Sequence, residues 1–357
     1  MVSFFFLFEI LLFACFLSMV NLSMVNSIGC PHAHKSARKL TIIQEKIFSN
    51  HGEFIKSLGL VLSSFKSKKI AFTVVGGGKN YHSWTLNFWM HYASTNTIIP
   101  LLVIGTGPDD CTPYHNISTA QLVCINVAPD IMWLQDRKDI QKGWPVALKW
   151  FFSRELLIFG FENVLFLDAD VIVLRDPFEL FDIHLSYDVL GLSDQWRYMD
   201  DFEESISNRP TIRPKSESCN NMYALSEPLC QSTGIMYMRR TLPTLYMLQY
   251  MVDMLEKDSG RWEQDLYNFV LPLYLVASGS REPLKYRFLN TTEAGNLNSI
   301  RMLAKKKGTS FIQENQIMIH VGWINGLEKI VAYEKLRLWN TIESRHDWAH
   351  LLDISSQ

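Results

Sequence analysis

The sequence lacks the features that would place it in several broad functional classes. No long basic run occurs beyond Lys305-Lys-Lys307, and 34 lysines and arginines against 36 acidic residues leave a net charge of -2. There is therefore no electrostatic footprint for nucleic acid. No Cys-x-x-Cys pair and no Cys/His spacing of the zinc-binding kind is present. A phosphate-binding loop is also missing, because Gly76-Gly-Gly-Lys79 follows an apolar run but lacks the Lys-Ser/Thr ending in register. Charge is sparse, at 20% of residues, while 48% are hydrophobic. That balance belongs to a folded globular chain, and 357 residues suffice for one large core.

Cysteine is scarce too, with six in all. Cys15 lies in an apolar segment, which leaves Cys30, Cys111, Cys124, Cys219 and Cys230 and room for at most two intramolecular bridges. Cys111 with Cys124 and Cys219 with Cys230 are the local options. Sequons at Asn21, Asn116 and Asn290 would be glycan acceptors in a lumenal chain.

Residues 1–30 read as a signal anchor or signal peptide, because Phe4 to Val20 is apolar apart from Glu9. Either form targets the secretory pathway. No Lys or Arg precedes the run, so the usual orienting charge is absent. Residues 31–68 read as a stem, and residues 69–357 as one catalytic domain.

The chemistry centres on Asn163-Val-Leu-Phe-Leu-Asp-Ala-Asp-Val-Ile-Val-Leu-Arg-Asp-Pro177. Val164 to Leu167 form an uninterrupted apolar run, which predicts a strand buried on both faces. It delivers Asp168 and Asp170, two hard oxygen donors, to the carboxyl edge of a sheet, where α/β proteins bind ligands. A structural alternative is that the pair caps the following segment and meets Arg175. Upstream, Trp144 to Gly160 has helix length, with Pro145 suited to the first turn and Gly160 as a stop. Further strands are expected at Lys69–Val75, Pro100–Gly105, Ala120–Val127 and Tyr187–Leu192. A helix is expected over Ser83–Ala93. Alternating strands and helices indicate a mainly parallel sheet.

The order of Lys149, helix, Gly160, apolar strand, Asp168-Ala-Asp170 and Arg175-Asp-Pro177 resembles the nucleotide-diphospho-sugar transferases of GT-A type. Within them it looks closest to retaining glycosyltransferase families 8, the glycogenin-like enzymes, and 77. The likeness extends over about residues 70 to 325. It implies an α/β fold with a Rossmann-like, mixed and mainly parallel sheet flanked by helices. It also implies transfer of a sugar from a nucleotide diphosphate, UDP first among them, to an acceptor hydroxyl with retention of configuration.

By the same resemblance, Thr73, Val74, Val75 and Gly76 would line the nucleotide pocket, and Lys149 would face the diphosphate. Gln231-Ser-Thr-Gly234 matches the family's polar-Thr-Gly strand, so Ser232, Thr233 and Gly234 would lie under the donor sugar, with Ala169 between the aspartates also on the donor. Gln264 and Asp265, at the start of a helix opened by Trp262, would face the transferred sugar as the catalytic pair. Read structurally, Glu263 and Asp265 are acids suited to the first turn of a helix. Ile317-Met-Ile-His-Val-Gly-Trp323 matches the carboxyl-terminal motif in which His320 joins Asp168 and Asp170 around Mn²⁺ or Mg²⁺ and Gly322 leaves room for phosphates. Taken alone, a single His on an apolar strand is a core residue. The partners implied are a nucleotide-sugar donor and a glycan, protein or small-molecule acceptor. The location implied is a type II Golgi membrane protein, or a secreted one if residues 1–30 are cleaved.

Two other readings compete. A haloacid-dehalogenase-like phosphohydrolase also has an apolar strand ending in Asp-x-Asp. Against it, Val171 stands where a small hydroxyl residue is usual, and no later Gly-Asp-x-x-x-Asp occurs. A non-catalytic sugar-binding protein with the same fold is the other, and intact Asp168, Asp170 and His320 argue against it.

Overall fold

The structure is a computed structural model; it describes residues 41–44, 51–63, 65–76, 82–95, 97–107, 109–114, 122–127, 144–193, 231–257, 262–279, 281–308 and 315–322. By contacts the chain divides into units 1–38 and 39–357, and every described residue lies in the second. In chain order the elements are β1 (Thr41–Gln44), α1 (His51–Leu62), β2 (Lys69–Val75), α2 (His82–Ser94), β3 (Leu101–Gly105) and β4 (Leu122–Asn126). Then follow α3 (Trp144–Ile158), β5 (Asn163–Leu167), β6 (Val171–Val173), α4 (Glu179–Ile183) and β7 (Val189–Ser193). The rest are β8 (Gln231–Arg239), α5 (Leu242–Lys257), α6 (Glu263–Tyr274), β9 (Tyr286–Phe288), β10 (Ala294–Asn296), α7 (Leu297–Lys307) and β11 (Met318–His320).

Eight strands form one sheet in the order β1-β4-β3-β2-β5-β8-β7-β9. β8 alone of these runs antiparallel to its neighbours β5 and β7; the other pairings are parallel. This is the mixed, mainly parallel α/β sheet expected from the sequence. The strands β3, β4, β5 and β7 are buried at every position, as strands covered on both faces must be. One core cluster packs α3, α5 and α6 on the sheet through Trp150, Phe151, Met247, Met251, Leu266 and Tyr267. A second, with Phe88, Trp89 and Tyr92 of α2, covers the same strands through their alternate residues, such as Leu165 and Leu167. Side chains alternate across a strand, so β5 feeds both clusters.

Gly160 ends the helix as the sequence suggested, with φ +107°, a backbone conformation closed to most L-residues. β1 pairs with β4, and Leu58 and Leu62 of α1 are buried in the core. Residues 41–44 and 51–62, read from sequence within a stem, are thus built into the folded unit. Burial of Leu58 and Leu62 is the physical reason, since a free stem has no core to meet. No described helix is long and apolar enough to cross a membrane. The expected anchor or signal peptide at 1–30 and the Cys219–Cys230 option lie outside the described residues.

A small second sheet, β10-β11-β6, sits where the chemistry was expected. β11 runs antiparallel to β6 with His320 opposite Val171, and parallel to β10 with Asn296 opposite His320. Three segments remote in sequence are thereby held edge to edge.

Candidate active site

Asp168 and Asp170 emerge from β5 in the turn to β6, both half-buried. The turn is pinned at each end: Asp168 N–H donates to Gly234 O at 2.8 Å, and Val321 N–H donates to Asp170 O at 3.1 Å. The second of these ties the strand bearing His320 to the aspartates. His320 Nε2 lies 3.3 Å from Asp170 Oδ1 and 3.9 Å from Asp168 Oδ2. One donor atom from each of the three residues falls within 4.8 Å of the others.

The other side of the imidazole is also fixed. His320 Nδ1 is 2.7 Å from Asn296 Oδ1 and 3.2 Å from Ser232 Oγ. Asn296 Nδ2 donates to Ser193 O at 2.8 Å, which sets the amide so that its oxygen faces the ring. An acceptor at Nδ1 puts the proton there and leaves the Nε2 lone pair facing the carboxylates. That is the arrangement in which imidazole ligates a metal. Two carboxylates and one neutral imidazole suit a divalent cation such as Mn²⁺ or Mg²⁺. Asn296 was not singled out from the sequence. Its register against His320 on a neighbouring strand is a tertiary fact.

Gly234 and Gly322, expected under the donor sugar and beside the phosphates, both stand against the His320 ring. A Cβ on Gly234 would collide with the His320 imidazole, and one on Gly322 would stand 2.7 Å from its Cε1. Both glycines make space for the ring.

Lys149, expected to face the diphosphate, is buried: its side chain is 2% exposed, and its ammonium lies 2.8 Å from Glu263 Oε1 and 3.0 Å from Thr233 Oγ1. It also sits over the Phe166 ring. A buried ammonium must be paired, and Glu263 and Thr233 take its donors. Burial works to discharge it, but Glu263, Asp168 and Asp170 together lift its pKa above the ordinary lysine value. Glu263 is 3% exposed. Burial pushes its carboxyl up, and Lys149 beside it pulls it back. From the sequence alone, Glu263 reads only as an acid suited to the first turn of a helix.

Gln264 Oε1 accepts from both Thr233 N and Thr233 Oγ1 at 3.3 Å, so this member of the expected catalytic pair leans on the expected donor strand. Asp265 is half-buried in the first turn of α6. Asn268 pins the two elements together, accepting from Gln231 N at 2.7 Å and donating to Gln231 O at 3.1 Å. No sequence signal singled out Asn268.

Thr73, Val74, Val75 and Gly76 occupy the last part of β2 and the residue after it. Thr73 is wholly buried, and its Oγ1 has no hydrogen-bond partner. Beside them, a Cβ on Gly76 would meet Thr106, and Asp110 accepts from Thr106 N–H at 2.9 Å and Gly107 N–H at 2.7 Å. Thr106 and Asp110, also missed from the sequence, shape the same edge of the sheet.

Among solved structures, the chain is similar to the galactosyltransferase LgtC in complex with donor and acceptor sugar analogs. Identity is 13%, coverage is 78% of this chain and 99% of that one, and the TM-score is 0.45. It is also similar to the bifunctional glycosyltransferase WbbM, at 13% identity, 80% and 52% coverage and TM-score 0.47. The glycosyltransferase GlyE of Streptococcus pneumoniae TIGR4 gives 14% identity, 81% and 62% coverage and TM-score 0.43. No curated protein matches the chain. The nucleotide-diphospho-sugar transferase family matches residues 146–333, more than half of the sequence and the whole span from Lys149 through the Asp168–Asp170 turn to His320, and the chain belongs to that family.

Proposed function

We propose that this glycosyltransferase moves a sugar from a UDP-sugar to an acceptor hydroxyl, with retention of configuration and dependence on Mn²⁺ or Mg²⁺. The observation that supports this best is the convergence of Asp168, Asp170 and His320 within 4.8 Å at the end of β5. A divalent cation held by these three would neutralise charge developing on the leaving diphosphate.

The chain's own residues do the remainder. Asn296 holds His320 in the tautomer that presents Nε2. The Thr233 and Gly234 backbone, backed by Gln264, forms a rigid floor for the donor sugar, with Asp265 beside it. Lys149 acts from beneath this floor: its charge, retained by Glu263, adds a fixed positive field under the two aspartates. Glu263 is engaged by Lys149 and is not free to serve as a nucleophile. This favours a route in which an oxygen of the departing diphosphate takes the proton of the acceptor hydroxyl on the same face of the sugar. Thr73 to Gly76 would receive the nucleoside.

A lumenal location is part of the proposal. It is supported by the apolar run near residue 10 and by the Cys111–Cys124 disulfide, a bond that persists in oxidising compartments. The phosphohydrolase reading is set aside by the family match.

The decisive experiment measures free sugar released from a panel of UDP- and GDP-sugars, with Mn²⁺ or with chelator, by wild type and Asp170→Ala. Hydrolysis of one donor that falls about a hundredfold on chelation and in the variant is expected. Hydrolysis indifferent to both would defeat the proposal.

A further inference from the structure

We propose that Trp262 is the stacking platform for a sugar ring of the acceptor. The inference rests on the transferase reading above and extends it to a residue that binds the second substrate. Trp262 is 57% exposed, whereas Trp89 and Trp150 are wholly buried. It occupies the N-cap of α6, with φ -61° and ψ 127°, and its side chain makes no capping hydrogen bond. Serine, threonine, aspartate and asparagine are favoured there because their oxygens accept the exposed N–H groups of the first turn. An indole at that position makes no such cap and is left more than half exposed. Residues that break a local rule without a structural return concentrate at functional sites.

The position fits this role. The next two residues turn back onto the donor strand, Glu263 to Lys149 and Thr233, and Gln264 to Thr233. Thr233 stands between Ser232 and Gly234, which both pack on His320. The helix end that carries the indole is therefore anchored against the strand whose residues pack on the proposed metal ligand His320. Its flat apolar face with one N–H at the rim matches a sugar ring, which presents C–H groups on one face and hydroxyls around its margin. Asp168, Asp170 and His320 account for the diphosphate end of the donor. The acceptor hydroxyl must reach the transferred sugar from the same edge, and Trp262 is an exposed aromatic surface offered there.

The test compares wild type, Trp262→Phe and Trp262→Ala in three measurements: donor hydrolysis without acceptor, transfer to methyl glycosides of galactose, glucose, xylose and arabinose, and tryptophan fluorescence on titration with the same glycosides. For Trp262→Ala we expect the KM of the accepted glycoside to rise about tenfold while donor hydrolysis stays within about twofold, with Phe between the two. An unchanged acceptor KM, or hydrolysis and transfer falling together, overturns the proposal. If wild type hydrolyses no donor, the transferase reading fails separately and the fluorescence arm decides here. A glycoside-induced change lost in Trp262→Ala then supports the platform, and its absence in wild type overturns it.

Discussion

His320 has two ring nitrogens, and Asn296 decides which one is offered. The amide is fixed by Ser193 O, its oxygen accepts a hydrogen bond from Nδ1–H, and Nε2 is left facing Asp168 and Asp170. Removing that support in Asn296→Ala should weaken Mn²⁺ affinity by about 10–100-fold, measured by calorimetric titration of the full chain. An unchanged affinity would show that the strand alone orients the ring. At Lys149 the issue is stability. Lys149→Met leaves Glu263 buried without its partner and should cost about 3–5 kcal/mol in denaturant unfolding. Lys149→Met with Glu263→Leu should recover much of that loss, because no unpaired charge remains. Equal losses in the single and double variants would contradict the pairing argument. Asp168, Asp170 and His320 were legible as residues because two carboxylates after an apolar strand and a His before a glycine carry a pattern. Asn296, Glu263 and Asn268 were not, since each acts through a neighbour that only folding supplies.

At the scale of elements, the small sheet must be locked to the large one for His320 to stay in place. Glu293, just before β10, performs part of this. Its backbone oxygen accepts from Ile317 N–H at 2.7 Å ahead of β11, and its carboxylate lies 3.3 Å from Nε2 of His184 at the C-cap of α4. Burial would raise the Glu293 carboxyl, but His184, the Asn290 N–H and Arg287 more than offset this and hold it below the ordinary glutamate value. A carboxyl whose folded pKa is depressed adds stability above its unfolded pKa, about 4.3, and that contribution is lost as pH falls through the folded value. The Tm of wild type should therefore drop more steeply between about pH 5 and pH 3 than that of Glu293→Gln. Parallel curves would remove Glu293 from the account. The principal strands of the large sheet are legible in the sequence to within small errors at their ends, because their apolar runs are long. β6, β10 and β11 are three residues each and carry no periodicity of their own.

For the whole molecule, the Cys111–Cys124 disulfide ties the segment after β3 to β4 across a separation of 13 residues. It realises the first of the two local pairings open from the sequence. Closing a loop of this length restricts the unfolded chain by about 3 kcal/mol in the loop-entropy account. Cys111→Ser with Cys124→Ser should lower unfolding stability by up to that amount while leaving donor hydrolysis intact, since the bridge touches none of the proposed ligands. Loss of hydrolysis at full stability would show that it shapes the donor edge instead.

By itself the sequence determined the class of fold and the position of the aspartate pair. Burial dictates apolar runs, and a strand's end is where an α/β sheet binds its ligands. Its motifs pointed to a family that the match over residues 146–333 then established. Only the tertiary structure decided which partners each side chain meets. It buried Lys149 against Glu263, set the His320 imidazole where Gly234 and Gly322 leave room for it, and placed Asn296 behind His320. The reason is that strand register and helix packing join residues far apart in the chain, and spacing along the chain carries no record of which of them will touch.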